Sequence, residues 1–596
     1  MGTRHAGFLA LCLLAGAAAA DPSPTTHQAL VRLAQDMVYT TAKLYPTQAT
    51  ALGIPGHDGD LDAPSEQARA AYLARLKNWK SQVDASAAGF TARTSLVDKD
   101  DAALLQAALL SNLNQLQIYQ FDRKDYSAPG TTVVNALFTQ FQHLPMVGQE
   151  GASADDLQHA WADIVSRLSG APAYITAGTK LVTTPGHLFG TIGAQQLAGA
   201  PDFLNGALTS AAAAQLGKDS PLYGRFIKAR DATLSSLAQL QHYIDAHVAA
   251  WPENYAMGLE AYNRMLKDEQ LLPYTASDVE RMGYDELAHG WAEEAWLQDL
   301  ARRKGTPLGA ATGGGLAPGG PALIGYYGER IAELRKFVTD ADVVSVPAWL
   351  GEMKIMETPK FLQPISPGAS MNSPRLFSTS MTGYYYITPP KSLAEAAERL
   401  DMNQDFDRDR ILSTAAHEAM PGHFLQLSIA KRHPDFIRKI QGAGSFAEGW
   451  AFYGEEMFVR LGLYGERLDG RLMTARWERV RGARAICDPQ LASGAWTYPQ
   501  AVEFFARETG FTEDQAQASV ASIALGPGYF IAYTVGRVQI ESLLADYMRR
   551  TGAHGSLRDF HDRLLSYGTT PLSIVSAELM ADLAKPASAV RAAANY

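Results

Sequence analysis

The chain has 596 residues, 47% hydrophobic and 19% charged, with a formal net charge of −10. That length accommodates several ordinary domains or one large helical body, and the composition is that of a soluble globular protein. Lys and Arg are scattered within an acidic whole, which argues against nucleic acid as a partner.

The N-terminus reads as a targeting segment. Arg4 and His5 precede an apolar run over about residues 7–17, and Ala18-Ala19-Ala20 before Asp21 fits a small-residue cleavage site. The run is too short to span a bilayer, and no later stretch is long and apolar enough to be a membrane helix. Residues 1–20 are assigned to a signal peptide cleaved near Ala20, and the mature protein to the periplasm or the exterior. Cys12 raises a lipoprotein alternative, but Leu11 stands where such signals want a small residue, and Cys12 comes early in the run. Cleavage leaves Cys487 alone, so no internal disulfide can form and stability rests on a large core. Ala485-Ile486-Cys487 reads as a buried small apolar position rather than a nucleophile.

Helical periodicity then dominates, over 26–44, 65–85, 98–114, 154–168, 220–249, 259–272, 277–304 and 322–339. Ser65 before Glu66, and Ser153 with Asp156 three residues on, mark helix starts, the second as a capping box. The Gly-, Ala- and Pro-rich stretch 305–320 lacks Gly-Lys-Ser/Thr and follows a helix, so it is read as a surface loop hinging the regions 21–304 and 321–596. The segment 347–390 is broken by Pro359, Pro364, Pro367 and Pro374. Its best strand signal is Tyr384-Tyr385-Tyr386-Ile387-Thr388, between Gly383 and Pro389. Helical patterning resumes at Ser392. The pattern predicts a mainly α protein with a small β element near 384–388.

The stretch that carries chemistry is Ala416-His417-Glu418-Ala419-Met420-Pro421-Gly422-His423. A catalytic zinc needs three protein ligands and an open position for water. In the common His-Glu-x-x-His arrangement, four residues turn a helix by about 400°, so both rings share a face. Here the histidines are six apart, about 600° of helix and about 120° out of alignment. Pro421-Gly422 breaks the helix between them, and a local bulge there would return His423 to the face of His417. The alternative is that the first helix ends at Met420 and His423 begins the next by chance. A third ligand comes from the segment from Phe446 to Glu456, where Glu448 and Glu455, seven apart, share a helical face among apolar neighbours. Buried carboxylates need a cation or donors. Glu448 is therefore assigned as ligand, and Glu455 as acceptor for the ring N–H of a ligating histidine. His433, before Pro434 at a helix end, is a rival ligand.

His-Glu-Ala-x-Pro-Gly-His with Leu425-Gln426, then Glu448-Gly449-Trp450-Ala451-x-Tyr453, then Pro527-Gly528 with Tyr533-x-x-Gly536, resemble the bacterial family numbered 885 among the domains of unknown function. That family in turn resembles helical zinc peptidases whose third ligand is a glutamate, of the angiotensin-converting and thimet-oligopeptidase type. The resemblance implies a large helical shell around a deep active-site cleft, with Zn2+ held by His417, His423 and Glu448, and Glu418 activating water. It also implies that Tyr533 is the tyrosine that hydrogen-bonds the oxyanion, with Tyr529 as fallback donor. Two positions depart from the family pattern: Phe424 replaces a frequent histidine, and Asp488-Pro489-Gln490-Leu491-Ala492 lacks the histidine that many members carry at Ala492.

For substrate, the Tyr385 strand is read as a backbone edge for an extended peptide. The arginines Arg476, Arg479, Arg481 and Arg484, with Arg476 named first, are read as a clamp for a peptide carboxylate. The expected function is a zinc peptidase acting on short peptides. A serine hydrolase around Ser445 lacks the flanking glycines of a nucleophile elbow. From another class, a peptide-binding protein with a degenerate zinc site is the alternative that Phe424 and Ala492 keep open.

Overall fold

Capped amphipathic helices make up most of the described residues, which in this computed structural model are 26–145, 153–306, 308, 317–318, 321–360, 369–388 and 408–584. The N-terminal segment expected to be a signal peptide, most of the 305–320 loop and Ser392 lie outside them. The principal helices of the first half are α1 (Thr26–Leu44), α2 (Glu66–Ala88), α3 (Leu96–Asn114), α4 (Ala128–Gln142), α5 (Ala154–Thr179), α6 (Pro221–His247), α7 (Ala276–Lys304) and α8 (Pro321–Asp340). Ser65, Ser95, Ser153, Ser220 and Thr275 each accept a hydrogen bond from the backbone N–H three residues on, which satisfies a donor the first turn leaves free. The Ser153–Asp156 capping box is present, but α5 runs on through Pro172 to Thr179, past the expected end at 168. On α2 the buried residues Tyr72, Leu76, Trp79 and Val83 recur at helical spacing and form one stripe.

The proline-broken segment 347–390 folds into a three-stranded sheet, β1 (Met353–Glu357), β2 (Ala369–Asn372) and β3 (Gly383–Ile387), in the order β1-β3-β2. β3 pairs in parallel with β1 (Met353 opposite Gly383) and antiparallel with β2 (Ala369 opposite Ile387). It is thus the central strand, and all five of its residues are buried. The expectation that Tyr385 offers an edge to a peptide is therefore corrected: both edges of β3 are taken by its neighbours, and Tyr385 is 0% exposed with its ring against Tyr327. Alternation along β3 sends Tyr384 and Tyr386 into the core built by α4, α5 and α6, and Tyr385 and Ile387 into the core of the C-terminal half. The sheet is the layer through which the two cores meet.

The second half comprises α9 (Arg408–Glu418), α10 (His423–Lys431), α11 (Gly444–Arg460), α12 (Asp469–Ser493), α13 (Tyr498–Thr509), α14 (Glu513–Leu525), α15 (Ala532–Thr551), α16 (Leu557–Ser566) and α17 (Leu572–Leu583). The α11 and α15 backbones touch. A Cβ on Gly449 would lie 2.5 Å from Gly536, and one on Gly536 would lie 1.8 Å from the carbonyl oxygen of Ser445. Glycine at both positions is what lets these helices approach so closely, and it brings the start of α15 over the face of α11 that bears Glu448. The protein is mainly α with a small β element. Among the described residues, no helix is long and apolar enough to cross a membrane.

Candidate metal centre

Helix α9 ends at Glu418, residues 419–422 turn, and α10 begins at His423. The two residues beyond the usual spacing are thus absorbed by a break between two helices rather than by a bulge within one. The Met420–Pro421 peptide bond is cis. Gly422 donates its N–H to Ala416 O (3.1 Å), and a Cβ at this position would lie 1.7 Å from His417 O. Only glycine fits that crossing. The Trp450 indole N–H donates to Pro421 O (2.8 Å) and holds the turn against α11.

The turn brings the two rings together edge to face, with Nε2 of His417 and Nε2 of His423 3.1 Å apart. Glu448 Oε2 lies 3.4 Å from the first and 3.2 Å from the second. Exposures of 7%, 8% and 6% for His417, His423 and Glu448 put all three donors inside the protein. Glu448 Oε2 is buried without a hydrogen-bond partner. Zinc bonds of about 2.0–2.1 Å at a tetrahedral angle place ligand atoms about 3.3 Å apart. The separations fit such an ion, and the donor set of two imidazoles and one carboxylate suits zinc.

The groups behind these three candidate donors are equally ordered. His417 Nδ1–H donates to Glu455 Oε1 (2.7 Å), which leaves a lone pair on Nε2. Arg481 reaches both Glu455 oxygens, at 2.6 and 3.0 Å. Burial opposes the Glu455 charge, but Arg481 and His417 hold its carboxyl below the usual range. Burial also opposes the Glu448 charge, yet His423 and His417 hold that carboxyl well below the usual range. The Tyr529 hydroxyl donates to Glu448 Oε1 (2.5 Å), so the two Glu448 oxygens are divided between a phenol and the two histidines.

Glu418 closes α9 beside His417 and is partly exposed. Burial raises its pKa, with the His417 and His423 rings opposing and the Glu448 and Glu455 charges reinforcing. The Tyr533 ring stacks on the His417 ring (centroids 5.9 Å apart, 18° between planes). Tyr529 is 47% exposed and marks the side on which the centre opens to solvent.

Among the described residues, two other groups of candidate donors meet within reach of a common point, and each is met by basic side chains. His27 Nδ1 faces Asp101 and its Nε2 faces Asp435, and Asp101 is also paired with Arg438 (2.8 Å). Glu286, Glu456 and Glu478 are met by Arg537, Arg460 and His289. Among the described residues, only at His417, His423 and Glu448 do two ring nitrogens and a carboxylate oxygen face one another with no arginine or lysine interposed.

Several expected site residues sit elsewhere. Arg476 pairs with Glu294 of α7 (3.1 Å), because that face of α12 packs on α7; the arginine of this row that backs the ligands is Arg481. His433 Nδ1 meets the backbone N–H of Asp435, away from the ligands. Ser445 turns its carbonyl to Gly536 at the start of α11, and no described histidine hydrogen-bonds to it. Cys487 is a buried core thiol. Phe424 packs in the core against β3, and Ala492 lies in a core cluster with Tyr262 and Val535, so neither substituted position faces the ligands. Asp488 is a further site residue. It accepts from Gly528 N–H (2.8 Å) and Tyr262 OH (2.9 Å), and so fixes the turn that aims Tyr529. The sequence signal for it is an aspartate directly after Ala485-Ile486-Cys487 and before Pro489.

A family model described as "Bacterial protein of unknown function (DUF885)" matches residues 46–579. Among solved structures, the chain is similar to a "putative lipoprotein of unknown function" from Shewanella oneidensis, at 20% identity and a TM-score of 0.72, over 94% of this chain and 100% of that one. It is also similar to a "putative lipoprotein" from Colwellia psychrerythraea, at 17% identity and a TM-score of 0.69, over 94% of this chain and 99% of that one. At these identities the likeness concerns the fold. No curated protein matches the chain.

Proposed function

This chain belongs to that bacterial family, DUF885, and from its buried donor set we propose a zinc-dependent peptidase of the periplasm that hydrolyses short peptides. The observation that carries the reading is the convergence of His417 Nε2, His423 Nε2 and Glu448 Oε2 to within 3.4 Å of one another beside Glu418. Zinc bound there supplies Lewis-acid polarisation and lowers the pKa of a water to about 7.

The remaining steps belong to the chain. Glu418, with its pKa raised by burial, takes the proton from the attacking water and passes it to the departing amine. Tyr533, stacked on His417, is the hydroxyl donor for the negative charge that develops on the carbonyl oxygen, while the one O–H of Tyr529 is given to Glu448 Oε1 and orients that carboxylate. Burial and the Glu448 charge raise the Tyr533 pKa, so its hydroxyl keeps its proton. Glu455, braced by Arg481, holds the His417 ring in one tautomer throughout. The extracytoplasmic assignment rests on the N-terminal segment and agrees with the descriptions of the two solved relatives.

The test is Glu418→Gln in the full chain, assayed with a library of short peptides alongside metal analysis. The variant is expected to keep its zinc and lose cleavage; a zinc-free protein with full activity would sink the proposal.

A further inference from the structure

Beyond Arg471 in its first turn, helix α12 carries a row of four arginines, Arg476, Arg479, Arg481 and Arg484. Three are neutralised by carboxylates. Arg476 and Arg479 both pair with Glu294, Arg479 also donates to Glu508 O, and Arg481 holds Glu455 with both arms of its fork. Arg484 has no ion pair and no hydrogen bond among the described residues, and its Nε is buried without an acceptor. Its guanidinium lies between the Phe530 ring (5.2 Å to the centroid) and the Tyr533 ring (5.5 Å). Tyr533 is the residue stacked on His417, and the Glu448 carboxylate lies within electrostatic reach of Arg484. Arg484 therefore stands one ring away from the ligands, on the side where Tyr529 opens to solvent.

A half-buried cation without a counter-ion is unfavourable, and Arg476, Arg479 and Arg481 each have a carboxylate partner. Flanked by two aromatic rings, the guanidinium is held in place and keeps its N–H fork for a planar anion. A substrate bound through internal amides alone brings no such anion to Arg484, whereas the end of a peptide does. Resting on the zinc-peptidase reading, we propose that Arg484 binds the C-terminal carboxylate of the substrate, making the protein an exopeptidase that works from the free C-terminus.

The test uses the zinc-loaded full chain and matched short peptides ending in a free acid or an amide. The acid is expected to be preferred by about 100-fold in kcat/KM, mainly through KM. In Arg484→Gln the acid-to-amide ratio should collapse toward one, and Arg484→Lys, with charge but no fork, should fall between. Calorimetry on Glu418→Gln reads the same preference as binding, without turnover, with zinc content measured for every variant. Equal cleavage of acid and amide by the unaltered protein overturns the proposal. So does an Arg484→Gln that lowers kcat alike on both substrates, because the guanidinium would then act at the reacting carbonyl. If no peptide is cleaved but the acid binds in preference to the amide and needs Arg484, the carboxylate site stands and the peptidase reading falls. If neither peptide binds, the carboxylate site falls.

Discussion

Replacing Glu455 tests how the centre is held together. Its Oε1 accepts from His417 Nδ1 and Arg481 Nη2, and its Oε2 from Arg481 Nη1, while the side chains of Glu455 and Arg481 are only 2% and 6% exposed. Removing a group behind a ligating histidine weakens metal binding by about 10–100-fold, which corresponds to about 1.4–2.7 kcal/mol. Glu455→Gln keeps the shape and one acceptor, so we expect a loss near the lower end; Glu455→Ala removes the acceptor and belongs near the upper end. Stability changes for a separate reason. Breaking a buried pair strands the remaining charge, at about 3–5 kcal/mol. Arg481 still lies over the Phe452 ring at 4.2 Å, which favours the smaller figure. Adding Arg481→Met to Glu455→Gln removes the stranded cation, so it should recover much of the stability without recovering the zinc affinity. Chelator competition gives the affinity, and urea unfolding with excess chelator gives stability apart from metal linkage. A Glu455→Gln protein that binds zinc within threefold of the unaltered chain and unfolds at the same urea concentration would refute this account of the centre.

Gly422→Ala should abolish stoichiometric zinc binding and destabilise the protein by about 3 kcal/mol or more, because the added Cβ falls 1.7 Å from His417 O; metal analysis and urea unfolding check it, and a variant retaining one zinc contradicts it. Tyr533→Phe should lower kcat by about 100-fold or more at unchanged zinc content, whereas an unchanged kcat would remove Tyr533 from the chemistry. His561 is fully buried, with Nδ1–H donating to Val343 O and Nε2 accepting from Tyr453 OH, and burial pushes its pKa down to about 4. The unfolded chain binds that proton first, so this stability contribution is complete above pH 6.5 and is lost on acidification toward pH 4, by about 3 kcal/mol at most. Unfolding free energies of the unaltered chain and His561→Asn, compared from pH 7 to 4.5, should diverge accordingly; parallel curves would contradict the assignment.

The His417–His423 stretch and Glu448 were legible because each is a local anomaly: a helix breaker between two histidines, and a carboxylate among aromatic residues. The pattern could not decide between a bulge and a break, since that depends on Trp450 and Gly422 packing the turn. Tyr385 was misread for a related reason. An aromatic strand looks the same at the edge or the centre of a sheet, and β3 is central only because β1 and β2, short and poorly patterned, pair with it from outside the local window. The four arginines over 476–484 of α12 looked alike in sequence. Their partners Glu294, Glu455 and Glu508 lie on three other helices, so only the folded chain separates the paired arginines from Arg484.

Anomalous diffraction at the zinc absorption edge, from crystals of the zinc-loaded protein, tests the central claim most directly. One strong peak is expected about 2.0–2.2 Å from His417 Nε2, His423 Nε2 and a Glu448 carboxylate oxygen. No peak there, or a peak at His27, Asp101 and Asp435 instead, would contradict it.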